Sequence, residues 1–209
     1  MAHDSSARRI AVLISGRGSN LQALIDAIAA GRLRAEIALV ISNRDDAAGL
    51  QRAEEAGIET LTVQHRVYPS RDTFEETLVA ELRARHVRLV CLAGFMRLLG
   101  ATFLDAFPNA ILNIHPSLLP AFPGVDAQKQ AWAHGTKLAG ATVHLVTGEL
   151  DGGPIVLQRA VAVADDDTPD TLSARILEVE HQIYPEAVDL VLDGGWAIDG
   201  RRFVRRGAR

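Results

Sequence analysis

The sequence has one cysteine and lacks any long hydrophobic run. Cys91 has no second cysteine to pair with, so an intramolecular disulfide is excluded, and its place in an apolar run predicts a buried packing role. The longest apolar runs, such as IAVLIS and LVCLAGF, are far shorter than the roughly 20 residues that cross a bilayer. IAVLIS also leads into GRGSN rather than a cleavage site, so no secretory signal is predicted. These absences favour a cytoplasmic protein without a membrane partner.

Excess positive charge is also absent. The chain of 209 residues has a net charge of −4, with 23% charged and 48% hydrophobic residues. Such a composition is ordinary for a soluble domain and gives no general attraction to nucleic acid, so no nucleic-acid partner is expected. An anion would therefore have to be bound by a local site.

Strand-like and helix-like segments alternate along the chain. RRIAVLIS has the composition of a buried strand and is followed by a glycine turn and by SNLQALIDAIAAG, whose apolar residues have helical spacing. The pattern repeats, and it predicts an α/β fold with a doubly wound, mostly parallel sheet and helices on both faces. We expect a flexible start at residues 1–7 and a single domain over 8–209. In such sheets ligands bind beyond the carboxyl ends of the strands.

Capping residues predict where three helices begin. Ser19 is a candidate cap for the first helix, and Asp72 with Glu75 has the spacing of a capping box. Thr168 followed by Pro169 predicts the start of a long final helix. The tail WAIDGRRFVRR predicts a hairpin.

The glycine turn SGRGSN directly precedes a predicted helix. The first backbone amides of a helix lack helical partners and lie at its positive end, so this turn could bind a phosphate. It matches neither the dinucleotide fingerprint, because Leu21 stands where the third glycine would be, nor the P-loop, because it has no lysine. On these residues alone, a phosphate site and a merely tight turn are equally plausible.

The stretch ILNIHPSLLP places polar side chains at the end of a buried strand. Pro116 predicts that the strand stops at His115, and residues two apart face the same side, so Asn113 and His115 share a face. They are either polar groups satisfied at a strand end or reactive groups at the rim of a sheet. A second polar residue, Asp151, lies in the turn ELDGGP at the same edge. If Asp151 comes within reach of His115, it favours the imidazolium, which can act as a general acid.

Two further segments leave alternatives open. His144, inside the strand TVHLV, is predicted to be a packed or face-exposed histidine, and a zinc site with His115 and Asp151 is disfavoured because close His or Cys spacings are lacking. The segment GFMRLL, with Met96 to Leu99, is explained by core packing or by a wall for a flat ligand.

Four motifs in this order closely resemble the phosphoribosylglycinamide formyltransferase family, the folate-dependent enzymes of purine biosynthesis: SGRGSNLQ, LAGFMRLL, NIHPSLLPAFPG and GATVHLVTGELDGGPI. The resemblance covers nearly the whole chain. It implies a Rossmann-like formyltransferase fold with the ribonucleotide phosphate in the N-terminal half and the folate and catalytic groups in the C-terminal half. It also implies formyl transfer from 10-formyltetrahydrofolate to the amino group of glycinamide ribonucleotide, with no metal.

The resemblance assigns roles to individual residues. The catalytic residues it implies are Asn113, His115 and Asp151. Those implied to bind the ribonucleotide are Gly18, Ser19, Asn20 and Glu180. Those implied to contact the folate are Arg71, Met96, Arg97, Leu98, Leu99, Asn113, Thr147, Gly148, Glu149, Leu150 and Asp151. The chain departs from many relatives at Asp126 and Gln128, where histidines are common, which leaves the contacts of that loop open.

Three alternative functions are consistent with parts of this pattern. A formyltetrahydrofolate deformylase shares the Asn, His and Asp pattern but would carry an N-terminal regulatory domain, for which 209 residues leave no room. Methionyl-tRNA formyltransferase would need a further tRNA-binding domain. A non-enzymatic nucleotide-sensing α/β module would need the three residues to be incidental. The chain could be a monomer or a homodimer.

Overall fold

A computed structural model describes residues 8–206. The chain divides into two compact units, one ending at Leu112 and the other beginning at Asn113, so the boundary falls inside a strand. The flexible start predicted for residues 1–7 lies outside the described residues, and the single domain over 8–209 stays a prediction.

Residues 8–206 contain nine strands and six α-helices. The strands are β1 (Arg9–Ile14), β2 (Glu36–Ser42), β3 (Thr60–Thr62), β4 (Leu89–Leu92), β5 (Ile111–His115), β6 (Leu138–Leu145), β7 (Ile155–Ala162), β8 (Trp196–Asp199) and β9 (Arg202–Arg205). The helices are α1 (Ser19–Ala29), α2 (Ala48–Glu55), α3 (Arg71–Ala84), α4 (Ala101–Ala106), α5 (Ala127–His134) and α6 (Pro169–Asp193). A short 3₁₀ helix lies at His65–Val67. None of the helices between residues 8 and 206 has the length and apolarity that a membrane span requires.

The first unit is built on parallel strands in the order β3-β2-β1-β4. Residues 10–14 of β1 are fully buried, as are nearly all residues of β2 and β4, because strands covered on both faces need apolar side chains throughout. Cys91 is buried in β4, as predicted. The α/β class with a mostly parallel sheet and helices around it is therefore confirmed.

The second unit mixes strand directions. Strands β6 and β7 are antiparallel, β7 and β9 are parallel, and β8 and β9 form the predicted antiparallel hairpin. The pairing of β6 with β7 shifts register between Val143 and His144, which marks a β-bulge. The turn after β6 carries Asp151.

Two of the three predicted helix starts are wrong in detail. Helix α1 is capped by Gly18 in the left-handed region, and Ser19 is its first helical residue without a side-chain cap. The capping box of α3 is formed by Ser70 and Thr73, not by Asp72 and Glu75. The start of α6 at Thr168 and Pro169 is confirmed.

The carboxylate of Glu75 is buried and binds the start of another helix. Its two oxygens accept hydrogen bonds from the backbone amides of Gly100, at 2.6 Å, and Phe103, at 3.2 Å, and the Arg71 guanidinium lies 3.3 Å away. Glu75 thus supplies partners for amides at the beginning of α4, whose N-cap, Gly100, has no side chain to do so. The contribution of a buried charge to stability depends strongly on such partners.

Replacing this carboxylate should destabilise the protein. We expect Glu75→Leu to lower the free energy of unfolding by about 3 kcal/mol, because one buried amide, one part-buried amide and a guanidinium lose their partner. Urea denaturation measures the change. The matched control is Glu76→Leu at the neighbouring exposed position, which should cost less than about 0.5 kcal/mol. Equal losses in both variants would contradict the capping role.

Candidate active site

The glycine turn before α1 is held in close contact with α2. Gly18 has φ of 70°, and a Cβ there would lie 2.6 Å from the Cα of Gly49, so both positions require glycine. The Gly49 amide donates to the Gly16 carbonyl, and the Arg52 guanidinium donates to the Arg17 carbonyl. These contacts hold the turn in place. The first amides of α1, which begin at Ser19, lie at the positive end of the helix, where an anion is stabilised.

The segment Met96 to Leu99 follows β4 and is fixed through its backbone. The Met96 amide donates to Ser15 Oγ at 2.8 Å, and Arg71 donates to the Leu98 carbonyl at 2.7 Å. The side chains of Met96 and Leu98 are 65% and 64% exposed. Core packing therefore does not explain these two residues, and exposed apolar side chains on a fixed backbone suit a ligand wall.

Asn113 and His115 occupy the end of β5, as predicted. His115 is the last residue of the strand and is buried. Its Nε2 lies 2.9 Å from the carbonyl oxygen of Phe122. Phe122 has φ of 54°, which is rare for a bulky residue.

Asp151 lies beside His115. The distance from His115 Nδ1 to Asp151 Oδ2 is 3.5 Å, and the Gly124 amide donates to the same oxygen at 2.8 Å. Asp151 has φ of 49°, a left-handed conformation that Asp tolerates better than most residues. The predicted approach of Asp151 to His115 is confirmed, whereas the catalytic roles of both residues stay predictions.

The Asp151 carboxyl has opposing influences on its pKa. Burial acts to raise the pKa, but the nearby His144 ring, the Gly124 amide and the charge of His115 outweigh it, so the pKa is lowered from the ordinary value of 3.8. Asp151 is consequently ionised at neutral pH.

His144 belongs to the same cluster, which the sequence analysis did not predict. The side chain is buried, as expected for a packed histidine, but its Nε2 lies 3.2 Å from Asn113 Nδ2 and 3.6 Å from Asp151 Oδ1. Its Nδ1 lies 3.0 Å from the Leu145 carbonyl oxygen. The one signal in the sequence for this cluster was the alternation of apolar and polar residues around His144. This alternation places His144 on the same face of β6 as the polar residue Thr142.

The turn that carries Asp151 is fixed by its own glycine and by the C-terminal hairpin. A Cβ at Gly153 would lie 1.8 Å from the Leu145 carbonyl oxygen, so glycine is required there. Arg201 pairs with Glu149 at 3.1 Å and donates to the Gly152 carbonyl at 2.5 Å. This contact was not predicted from the sequence. A cavity of about 500 Å³ borders this turn, with lining residues that include Leu119, Pro120, Leu150, Asp151 and Phe203.

The remaining predicted residues have varied surroundings. Glu180 is buried on α6, and Leu150 is 54% exposed in the turn after β6. Asp126 is the N-cap residue of α5 without a side-chain cap. No group of three or more metal-ligating side chains suited to a metal ion occurs among residues 8–206.

Together these features define a class of protein. A buried imidazole and carboxylate at the end of a strand, in an α/β fold with a mostly parallel sheet, are typical of an enzyme with acid–base chemistry. The profile of the formyl transferase family matches residues 8–188. The chain therefore belongs to the formyl transferase family.

Individual relatives agree with this assignment. The chain is 42% identical to phosphoribosylglycinamide formyltransferase of Escherichia coli, and the match covers 95% of this chain and 97% of the relative. The crystal structure of glycinamide ribonucleotide transformylase 1 from Symbiobacterium toebii matches with a TM-score of 0.95 and 52% identity, over 99% of this chain and 97% of that one.

Larger relatives contain a similar region. The human trifunctional purine biosynthetic protein adenosine-3 is 47% identical over 89% of this chain, which spans 18% of its length. In the Drosophila melanogaster protein of the same name the chain spans 14% of the length, also at 47% identity. These proteins are several times longer than the region they share with this chain.

Proposed function

We propose that this protein transfers the formyl group of 10-formyltetrahydrofolate to the amino group of glycinamide ribonucleotide. The observation that carries the proposal is the cluster of Asn113, His115 and Asp151, in which a buried imidazole faces an ionised carboxylate at 3.5 Å. The names of its relatives, phosphoribosylglycinamide formyltransferase and glycinamide ribonucleotide transformylase, support the substrates. The predicted cytoplasmic location and the monomeric or homodimeric state stay predictions.

The partners of His115 support its protonated form. A backbone carbonyl and an ionised carboxylate both only accept hydrogen bonds, and these face its Nε2 and Nδ1 respectively. A neutral imidazole has one N–H and would leave one of these acceptors opposite a lone pair. The imidazolium, with two N–H groups, matches both.

Formyl transfer needs no enzyme nucleophile. The amine of the ribonucleotide attacks the formyl carbon, a C–N bond forms, and negative charge develops on the formyl oxygen. Asn113 Nδ2 and protonated His115 are the donors that we assign to this oxyanion, because preorganised donors stabilise charge that appears only in the transition state. Collapse of the tetrahedral centre breaks the bond to the folate nitrogen.

Proton movements complete the reaction. The departing folate nitrogen takes a proton from His115, directly or through a water held by Asp151, and the ammonium formed by attack of the amine gives up one proton, which passes through water back to His115. Acid catalysis contributes about 10²- to 10⁴-fold, whereas positioning two substrates reaches effective molarities of about 10⁵ to 10⁸ M. Binding of the ribonucleotide and of the folate in the correct relative position therefore supplies most of the rate enhancement.

The residues assigned to binding follow the family pattern. The ribonucleotide phosphate is assigned to the turn of Gly18, Ser19 and Asn20, with Glu180 as a further ribonucleotide contact. The folate is assigned to Met96–Leu99 and 147–151. Arg71 is assigned to the folate as well, and its hydrogen bond to the Leu98 carbonyl supports a role in holding this wall.

The phosphate assignment predicts a selective change in affinity. We expect Ser19→Asp to raise the KM for the ribonucleotide by about tenfold or more, because a carboxylate at the helix start repels the phosphate. The KM for the folate should not change. Helix stability should be retained, since an acidic residue is favourable in a first turn. The neutral control is Ser19→Asn, and equal increases of both KM values would contradict the assignment.

One assay tests the function as a whole. Purified protein is mixed with 10-formyltetrahydrofolate and glycinamide ribonucleotide, and loss of the formyl group from the folate is followed spectroscopically. We expect deformylation that depends on the ribonucleotide and yields the formylated ribonucleotide. Equal deformylation without the ribonucleotide would identify a hydrolase, and binding without turnover would identify a nucleotide sensor.

A further inference from the structure

His144 is a buried titratable group that the proposed reaction does not use. It is only 2% exposed, and the contacts described for its ring are all polar groups of the active site or its strand. Two imidazoles, His115 and His144, thus lie on either side of one carboxylate, Asp151, at 3.5 and 3.6 Å. Their hydrogen-bond partners differ, and this difference assigns them different protonation states.

The partners of the His144 ring fix its tautomer. Nδ1 lies 3.0 Å from the Leu145 carbonyl oxygen, which can only accept, so Nδ1 carries the hydrogen and donates. In the neutral ring this leaves a lone pair on Nε2. The group opposite that lone pair, at 3.2 Å, is the amide nitrogen Nδ2 of Asn113, which donates to it.

The charge balance of the cluster also favours a neutral His144. One carboxylate can compensate one buried imidazolium, and His115, which faces two acceptors, is matched to the charged form. A second buried imidazolium would lack a counter-charge from Asp151, which is costly. The contact of His144 Nε2 with Asn113 Nδ2, at 3.2 Å, is within hydrogen-bond distance and is shorter than its 3.6 Å contact with the carboxylate.

We propose that neutral His144, with its hydrogen on Nδ1, is a positioning residue that fixes which end of the Asn113 carboxamide faces the reaction. By accepting one hydrogen of Asn113 Nδ2, it keeps the NH₂ group at the reaction side with its second hydrogen available. In the flipped amide, Oδ1 would take this place and would repel the negative formyl oxygen. The inference rests on the proposed function, because it explains how Asn113 is kept as a donor.

The test compares His144 variants with and without Asn113. His144→Phe keeps a ring but removes the acceptor, and His144→Gln places an amide oxygen near the former Nε2. We expect His144→Phe to lower kcat about 10- to 100-fold with little change in either KM, and His144→Gln to stay within about fivefold of the wild type. In the Asn113→Ala background, His144→Phe should lower kcat less than about threefold, because its effect acts through the amide.

Several results would overturn the inference. These are an unchanged kcat for His144→Phe, or an equal loss of kcat with and without Asn113. A second measurement is independent of turnover: ¹⁵N NMR of the histidine rings in the wild-type protein reports which nitrogen of His144 carries hydrogen. A ring protonated at Nδ1 alone at neutral pH supports the inference, whereas hydrogen on Nε2 overturns it. Absence of formyl transfer by the wild type would instead remove the proposed function, and the NMR result would still decide the tautomer.

Discussion

His115→Ala should lower kcat by about 10²- to 10⁴-fold while the KM for the ribonucleotide changes little. The variant loses both an oxyanion donor and the proton source for the departing folate nitrogen, and each acts on the reacting atoms rather than on the phosphate. The His115 ring is buried and contacts Phe122 and Asp151, so thermal melting of the variant must accompany the kinetics. Steady-state assays over both substrates measure the effect.

A distant exposed histidine provides the control for this substitution. His86 is exposed after α3 and has φ of 54°, which asparagine tolerates, so His86→Asn should leave kcat unchanged. A folded His115→Ala protein with near-normal turnover would remove His115 from the mechanism. Loss of ribonucleotide affinity with an unchanged kcat would point to a binding role instead.

Asp151→Asn should lower kcat at neutral pH by about 10²-fold and change the shape of the pH–rate profile. Asparagine keeps an oxygen that can accept from the Gly124 amide, so the loop contact is retained while the charge is lost. The charge that faces His115 Nδ1 at 3.5 Å is lost, so the acid form of the enzyme no longer has its counter-charge.

The lowered pKa of Asp151 determines which part of the pH range is informative. The stabilisation from its ionised form is fully present above the ordinary pKa of 3.8 and is lost as the pH falls through the lower pKa of the folded protein. Changes of the pH–rate profile near neutral pH consequently do not report titration of Asp151. Asp166→Asn, at an exposed position, is the matched control. A profile for Asp151→Asn that coincides with the wild type would argue against the pairing.

Local sequence rules accounted for much of the fold. The end of β5 at His115 follows from Pro116, and the start of α6 follows from Thr168 and Pro169, because each depends on residues next to it. The capping box assigned to Asp72 and Glu75 was wrong. Four polar residues near the start of α3 have a spacing that could form a capping box. Only tertiary packing determines that Glu75 instead binds the start of α4.

The candidate site was predictable where it depended on alternation and turns. Asn113 and His115 share a strand face by periodicity, and Asp151 lies in a turn at a strand end. The contact of His144 with Asn113 was not predicted because it depends on how β6 lies beside β5, which the sequence of one strand does not encode. The positive φ of Phe122, whose carbonyl oxygen contacts His115, had no local signal either.

The C-terminal hairpin has a practical consequence through Arg201. Since this residue holds Glu149 and Gly152, the last strands brace the loop on which the acidic group of the site is mounted. An affinity tag or a fluorescent protein fused directly after β9 would disturb these contacts. Such fusions are therefore better placed at the N-terminus. Truncation of the chain before Trp196 should make the loop more mobile, even though no active-site residue is removed.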